Sequence, residues 1–142
     1  MVARIASDGS TVQNPWVTLA GETGLVSGLY VDRTGIYGGD VIAVTTSGGI
    51  WRINATGIAT QVALLGTALS GVTTLPDAVE KYGPWSGKIV VGAKDQGLIY
   101  ALDATGNLRS ETDPNGNASK RMRHPDSITS DRAITIPSTA VS

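Results

Sequence analysis

Gly39–Gly57 reads GDVIAVTTSGGIWRINATG, and Gly87–Gly106 reads GKIVVGAKDQGLIYALDATG. Both run from glycine and a charged residue into an aliphatic run. A polar, glycine-containing turn follows, then a second aliphatic run with one aromatic, then Asn/Asp-Ala-Thr-Gly. The starts are 48 apart (39 to 87) and the ends 49 apart (57 to 106), so the second copy carries one extra residue. A repeat of this period built from short aliphatic runs marks a modular β array. Working outward, Ala3–Gly9 aligns with Trp51–Gly57, Val17–Leu19 with Val62–Leu64, and Val26–Leu29 with Leu69–Val72. Ser127–Arg132 echoes Gly28–Arg33, mainly through its Asp-Arg pair.

The pattern predicts four strands per repeat. In the first copy they are Gly28–Asp32, Val41–Thr45, Ile50–Ile53 and Ile58–Leu64. In the second they are Gly71–Leu75, Lys88–Ala93, Leu98–Leu102 and Asn107 to about Glu111. The paired glycines Gly48 and Gly49 are expected to supply the positive φ of a tight hairpin. One helical turn is expected within Leu75–Lys81, starting near Pro76. Turns every ~8–12 residues with four strands per period favour a β-propeller, whose blades are four-stranded sheets around a channel.

The fold class is therefore all-β: a propeller segment of about two four-stranded blades with partial blades at both ends. Residues 1–27 read as the outer strands of a preceding blade and 28–64 as one blade. Residues 65–111 read as a second blade with an insertion at 76–86. Residues 112–142 read as a polar loop and the start of a further blade, with Ala133–Ile136 an edge strand stopped by Pro137. A propeller needs ~4–8 blades. The chain is accordingly expected to be a fragment of a larger ring or to complete one by self-assembly. A lone open ring is disfavoured because free strand edges invite association.

Composition narrows the function classes. Charged residues are only 16%, which suits buried strands rather than a disordered chain. A net charge of −1 gives no general attraction to nucleic acid or anionic membrane. No stretch approaches the ~20 apolar residues of a membrane span, and MVARIASDGS lacks a signal peptide's apolar run. The compartment stays open, with a secreted or cell-surface setting favoured. Without cysteine there is no disulfide, thiolate chemistry or Cys-ligated zinc.

The Trp51-Arg-Ile-Asn-Ala-Thr-Gly57 and Tyr100-Ala-Leu-Asp-Ala-Thr-Gly106 turns resemble the blade ends of NHL-repeat and SMP-30/gluconolactonase-like propellers, over roughly residues 3–111. The resemblance rests on turn and core residues, which report architecture, and a fold does not carry function by itself. It implies one enzyme alternative, a metal-dependent lactonase or other hydrolase with an ion held by oxygen ligands at one mouth of the channel. Calcium is the kind of cation such a site would take. Glu22, Ser47, Asp95, Gln96 and Asp126 belong to that mouth by topology, although no spacing forces them to converge, and solvated turn residues is the plainer reading.

No other motif names a reaction. His124 sits in a polar loop with no partner in view, and its KRMRH cluster is a small basic patch at most. There is no Gly-x-Ser-x-Gly elbow. GIYGG (35–39) and GPWSG (83–87) lack the Lys-Ser/Thr ending and following helix of a phosphate loop. Asn54-Ala-Thr and Asn117-Ala-Ser match the glycosylation tripeptide, a pattern common by chance. Trp51 and Tyr100, at equivalent positions, are expected to pack between blades; as stacking platforms they would suit a lectin-like ring. Tyr82 and Trp85, in the unmatched insertion, together with Asp95 and Gln96 are the candidate ligand-binding residues. Taken together, the sequence favours a non-catalytic binding or scaffold module for a protein or carbohydrate ligand, with no required cofactor.

Overall fold

The computed structural model describes residues 1–109. The expectations for 110–142, including His124, Asp126 and the strand at Ala133–Ile136, lie outside the described residues. Ten strands occur within the described part: β1 (Val2–Ile5), β2 (Val12–Val17), β3 (Val26–Val31), β4 (Val41–Thr45), β5 (Gly49–Ile53), β6 (Ala59–Leu64), β7 (Gly71–Thr74), β8 (Ile89–Ala93), β9 (Leu98–Leu102) and β10 (Leu108–Arg109). They form three antiparallel sheets: β1-β2, β3-β4-β5-β6 and β7-β8-β9-β10. Each four-stranded sheet runs in sequence order, and the first strands of the two, β3 and β7, meet. This is blade topology, and the chain is a β-propeller segment.

Strand alternation explains the stacking. Ile42, Val44 and Ile50 face one way and join Ile89, Val91, Ala93 and Leu102 of the second blade in one apolar seam. Their neighbours Ala43, Trp51 and Ile53 face the other way and pack on Val2, Val17 and Leu19. Successive residues of a strand point to opposite faces, so one aliphatic run serves two seams. Such strands read as continuous apolar runs, which is why β8 is buried from end to end and β4 everywhere but Val41. Each fully buried Val, Leu or Ile contributes about 1.5–3 kcal/mol.

The recurring turn is held by its first residue. Asn54 Oδ1 accepts from the Thr56 amide (3.0 Å), the Thr56 hydroxyl (2.7 Å) and the Ile58 amide (3.0 Å). Asp103 Oδ1 does the same with Thr105 and Asn107, at 2.9, 2.7 and 3.0 Å. The closing glycines, Gly57 and Gly106, take φ of +86° and +85°. They also sit on the preceding blade at equivalent places. A Cβ on Gly57 would lie 3.5 Å from Val17 Cγ2, and one on Gly106 would collide with the Val62 carbonyl oxygen.

Two local expectations are corrected. Of the glycine pair only Gly48 has positive φ (+93°); Gly49 is small because a Cβ there would run into the Glu22 carboxylate. The helical turn starts at Val79, not Pro76, because the Pro76 carbonyl is taken by the amides of Ala78 and Gly87. It spans Val79–Tyr82 and passes into a 3₁₀ turn at Gly83–Trp85. β2 runs from Val12 to Val17 and contains Pro15, which an edge strand tolerates. No helix among the described residues is long and apolar enough to cross a membrane.

Candidate functional site

Strand register divides the predicted site residues between two ends. Gly71 pairs with Gly92, so the β8–β9 turn with Asp95 and Gln96 shares an end with the start of β7. Thr74 pairs with Ile89, so the insertion with Tyr82 and Trp85 leaves from the opposite end. The four candidate ligand-binding residues therefore do not form one site. Asp95 and Gln96 lie exposed on a 3₁₀ turn, Lys94–Gln96. Gln96 Oε1 accepts from the Tyr100 hydroxyl at 2.6 Å. Trp85 is 3% exposed and packs with Leu75, Val90, Ile99 and Ala101 on the far face of the second blade. Half-buried Tyr82 packs against this cluster, with Lys81 Nζ 5.3 Å from its ring centre.

Glu22 and Ser47 do meet. The Ser47 hydroxyl donates to Glu22 Oε1, the Gly24 amide donates to the same oxygen (2.8 Å), and Trp51 Nε1 donates to Oε2 (2.9 Å). Burial disfavours the Glu22 charge, but these donors outweigh it and hold the carboxyl down to about 2. Trp51 faces the β1-β2 sheet, and Tyr100 faces the first blade from the matching position. Both aromatics pack between sheets, with their polar tips on acceptors at the same end.

The opposite end holds a polar joint between blades. Asp32 is 5% exposed. Its Oδ1 accepts from the Thr34 amide (2.9 Å), the Thr34 hydroxyl (2.6 Å) and the Thr74 hydroxyl of the second blade (3.0 Å). Its Oδ2 accepts from the Tyr37 amide (3.0 Å) and the Gly39 amide (3.3 Å). Burial works against the charge, yet this set of donors keeps the carboxyl well below the usual carboxylate range. Tyr37 is fully buried and donates its hydroxyl to the Gly87 carbonyl of the second blade at 2.6 Å. Burial pushes that phenol up. Arg52 lies over the Tyr37 ring (5.4 Å), bonds the Tyr37 carbonyl (3.0 Å) and pairs with Asp40 (2.8 Å). Asp32 and Tyr37 were missed as a pair in sequence, although Asp32-Arg33-Thr34 repeats the Asn/Asp-x-Thr pattern of the two blade-end turns.

These carboxylates already have donors from the chain itself. Among the described residues no three acidic or His side chains gather where they could hold a metal ion. Two concavities among the described residues differ in character. A groove of about 430 Å³ runs between β1 and the first blade, lined by Val2, Ile5, Leu29, Val31, Val41 and Ile53 among others. A polar hollow of about 320 Å³ lies between the blades, with the paired Asp40 and Arg52 in its wall.

No family model and no curated protein matches the sequence. Among solved structures, the chain is similar to the computationally designed Ika4 protein at 14% identity, covering 72% of this chain and 56% of that one, TM-score 0.47. It is also similar to virginiamycin B lyase from Staphylococcus aureus in selenomethionine-substituted form, at 16% identity over 69% of this chain and 34% of that one, TM-score 0.47. A catalytically inactive form of that lyase with quinupristin matches at 16% identity over 72% and 37%, TM-score 0.48. The chain spans between about a third and just over half of the length of these proteins.

Proposed function

We propose that this propeller segment is a non-catalytic binding or scaffold module, and that its binding surface is the groove between β1 and β3. The observation that carries this reading is the groove's make-up. Its walls are mainly apolar, aliphatic side chains joined by Trp16 and Tyr30 with Arg4 and Asn54 among them, and it runs beside β1, which has no ladder partner on one side among the described residues. A free strand edge next to an apolar wall suits a polypeptide strand, which can add main-chain hydrogen bonds to the edge and side chains to the wall. The engagement of Glu22 and Asp32 by hydroxyl and amide donors supports a structural part for the acidic residues. Kinship with NHL-repeat and SMP-30-like propellers is part of the proposal, and rests on the two Trp/Tyr-x-aliphatic-Asn/Asp-x-x-Gly turns.

Thermal melts with calcium and with chelator, run beside a lactone-hydrolysis panel, test this reading. It predicts equal melting temperatures and no turnover. A calcium-dependent rise abolished by Asp95→Asn, or hydrolysis of any lactone, would replace it with the metal-dependent hydrolase.

A further inference from the structure

The polar hollow between the blades is a product of the repeat. Arg52 pairs with Ile42 on one side and with Thr60 on the other, so all three share the face that meets the second blade. Gly106 seats the turn of the second blade, Asp103–Gly106, against the Val62 carbonyl. That turn and its first-blade counterpart, Asn54–Gly57, stand on either side of a space of about 320 Å³, with Asn54, Ala104 and Thr105 in its lining. The lining runs from Asp40 to Thr105 and uses neither β1 nor β10.

Its wall carries more hydrogen-bonding capacity than the fold uses. Asp40 Oδ2 accepts both Arg52 contacts, from Nε at 3.0 Å and Nη2 at 2.8 Å. Asp40 Oδ1 and Arg52 Nη1 make no bond among the described residues. Asn54 gives its Oδ1 to its own turn, and its NH2 group bonds nothing among the described residues. Thr60 and Gln61 add a hydroxyl and a primary amide, likewise without a partner there. The repeat also shows that a blade does not need the charged pair. Alignment sets Lys88 at the place of Asp40 and Ala101 at the place of Arg52, yet the second blade forms the same four-stranded ladder. The side chains of Arg52 and Asp40 stay 28% and 16% exposed, and a pair this exposed adds little to stability. The Tyr37 carbonyl holds the guanidinium in place at 3.0 Å.

We propose that this hollow binds one sugar residue of a saccharide, with its hydroxyls bonded to Asp40, Arg52, Asn54 and Gln61. The chemistry of the wall selects the class. Its two charges cancel, and a carboxylate or phosphate drawn to Arg52 would meet the Asp40 carboxylate beside it. Donors and acceptors are mixed around the space, and a hydroxyl both donates and accepts. A sugar ring carries several hydroxyls on a compact frame. Ile58, Val62 and Ala104 supply an apolar wall for its C–H face. The volume lies at the lower end of the roughly 300–1,000 Å³ of small-ligand sites. A carbohydrate is one of the ligand classes expected from the sequence, yet the hollow contains none of Tyr82, Trp85, Asp95 and Gln96. The proposal rests on the binding-module reading but not on the groove, which lies on the other face of the first blade.

The test is an NMR titration of the full chain with the methyl glycosides of glucose, galactose, mannose and N-acetylglucosamine, and separately with acetate and inorganic phosphate. The expected result is binding of at least one glycoside, on the order of millimolar for so small a ligand, with amide shifts centred on Arg52, Thr60 and Thr105. Ala104→Trp, at an exposed position of the turn, fills the hollow and should abolish binding. Asp40→Asn keeps an oxygen for Arg52 but puts an NH2 group where the hollow had an acceptor. It should weaken binding about tenfold or more, and it keeps the proposal testable should the tryptophan variant fail to fold. Glu80→Ala, exposed and outside the lining, should change nothing. Circular dichroism melts check that each variant is folded. Binding of none of the glycosides, binding indifferent to both hollow variants, or acetate or phosphate bound in their place would overturn the proposal. Glycoside shifts centred on Leu29 and Val31 would overturn it too, while leaving the binding-module reading with the groove as its site. Lactone turnover with glycoside binding intact would instead overturn the non-catalytic reading and leave the hollow its ligand.

Discussion

Replacing Asp32 by Asn changes almost no volume, so its cost isolates the polar joint. Five donors converge on the carboxylate: three on Oδ1 and two on Oδ2. An amide nitrogen can accept none of them. Placed toward Tyr37 and Gly39 it orphans two backbone N–H groups. Placed toward Thr34 and Thr74 it orphans the Thr34 amide, while the two hydroxyls can rotate to accept. The second orientation is the cheaper. An orphaned buried donor costs about 1–3 kcal/mol, and the remaining bonds lose the strength a charged acceptor gives them. The sum is about 2–4 kcal/mol, or a fall in melting temperature of roughly 10 °C for a chain of this length. Circular dichroism melts at pH 7 read it directly. Thr74→Val should cost about 1 kcal/mol alone, and less in the Asp32→Asn background, since the two groups share one bond. An Asp32→Asn variant melting within about 2 °C of wild type would refute the reasoning.

Other outcomes follow from the same geometry. Gly106→Ala should destabilise by more than about 1 kcal/mol, because φ is +85° and the new Cβ meets the Val62 carbonyl; Thr105→Ala, losing only the hydroxyl bond to Asp103, should cost less. Trp85→Ala should cost about 3–5 kcal/mol in a denaturant melt, so any loss of ligand binding in that variant would report lost structure, and Tyr82 is the cleaner probe of the insertion. Glu22, Asp32 and Asp103 are all held below their ordinary values near 4 in the folded state. The unfolded chain therefore binds more protons as the pH falls, so their stabilisation is full above about pH 5 and drains away toward pH 2. Melting temperature should drop across that window, and Glu22→Gln should make the drop shallower.

Much of the fold was legible because the repeat states its rules twice. The aliphatic runs of β4 and β9 fall at the positions expected, and the Asn/Asp-Ala-Thr-Gly turns are built from bonds between residues no more than four apart. What stayed hidden was long-range. Glu22 reaches Trp51 across 29 residues, from a connection that is longer than its counterpart before β7, so no periodicity marks it. Trp85 looked like a recognition residue because it lies in an insertion matched in the first copy only by Tyr37. The insertion instead folds back and seals the second blade's far face with it. Asp32 carried a local signal, the Asp-x-Thr spacing, but its reach to Thr74 depends on how two blades stack. Asp95 and Gln96 were separable from Tyr82 and Trp85 only once the β7–β8 register was known.

The central claim is that the acidic side chain at the blade junction orders the loop around it and ties the two sheets together. Residue-resolved amide hydrogen exchange tests it most directly at Tyr37 and Gly39. These amides lie outside any strand and bond only the Asp32 carboxylate among the hydrogen bonds described. The account predicts that both exchange as slowly as the amides of β4, and that Asp32→Asn releases them while β4 stays protected. Exchange at the rate of an open loop in the wild-type chain would contradict it.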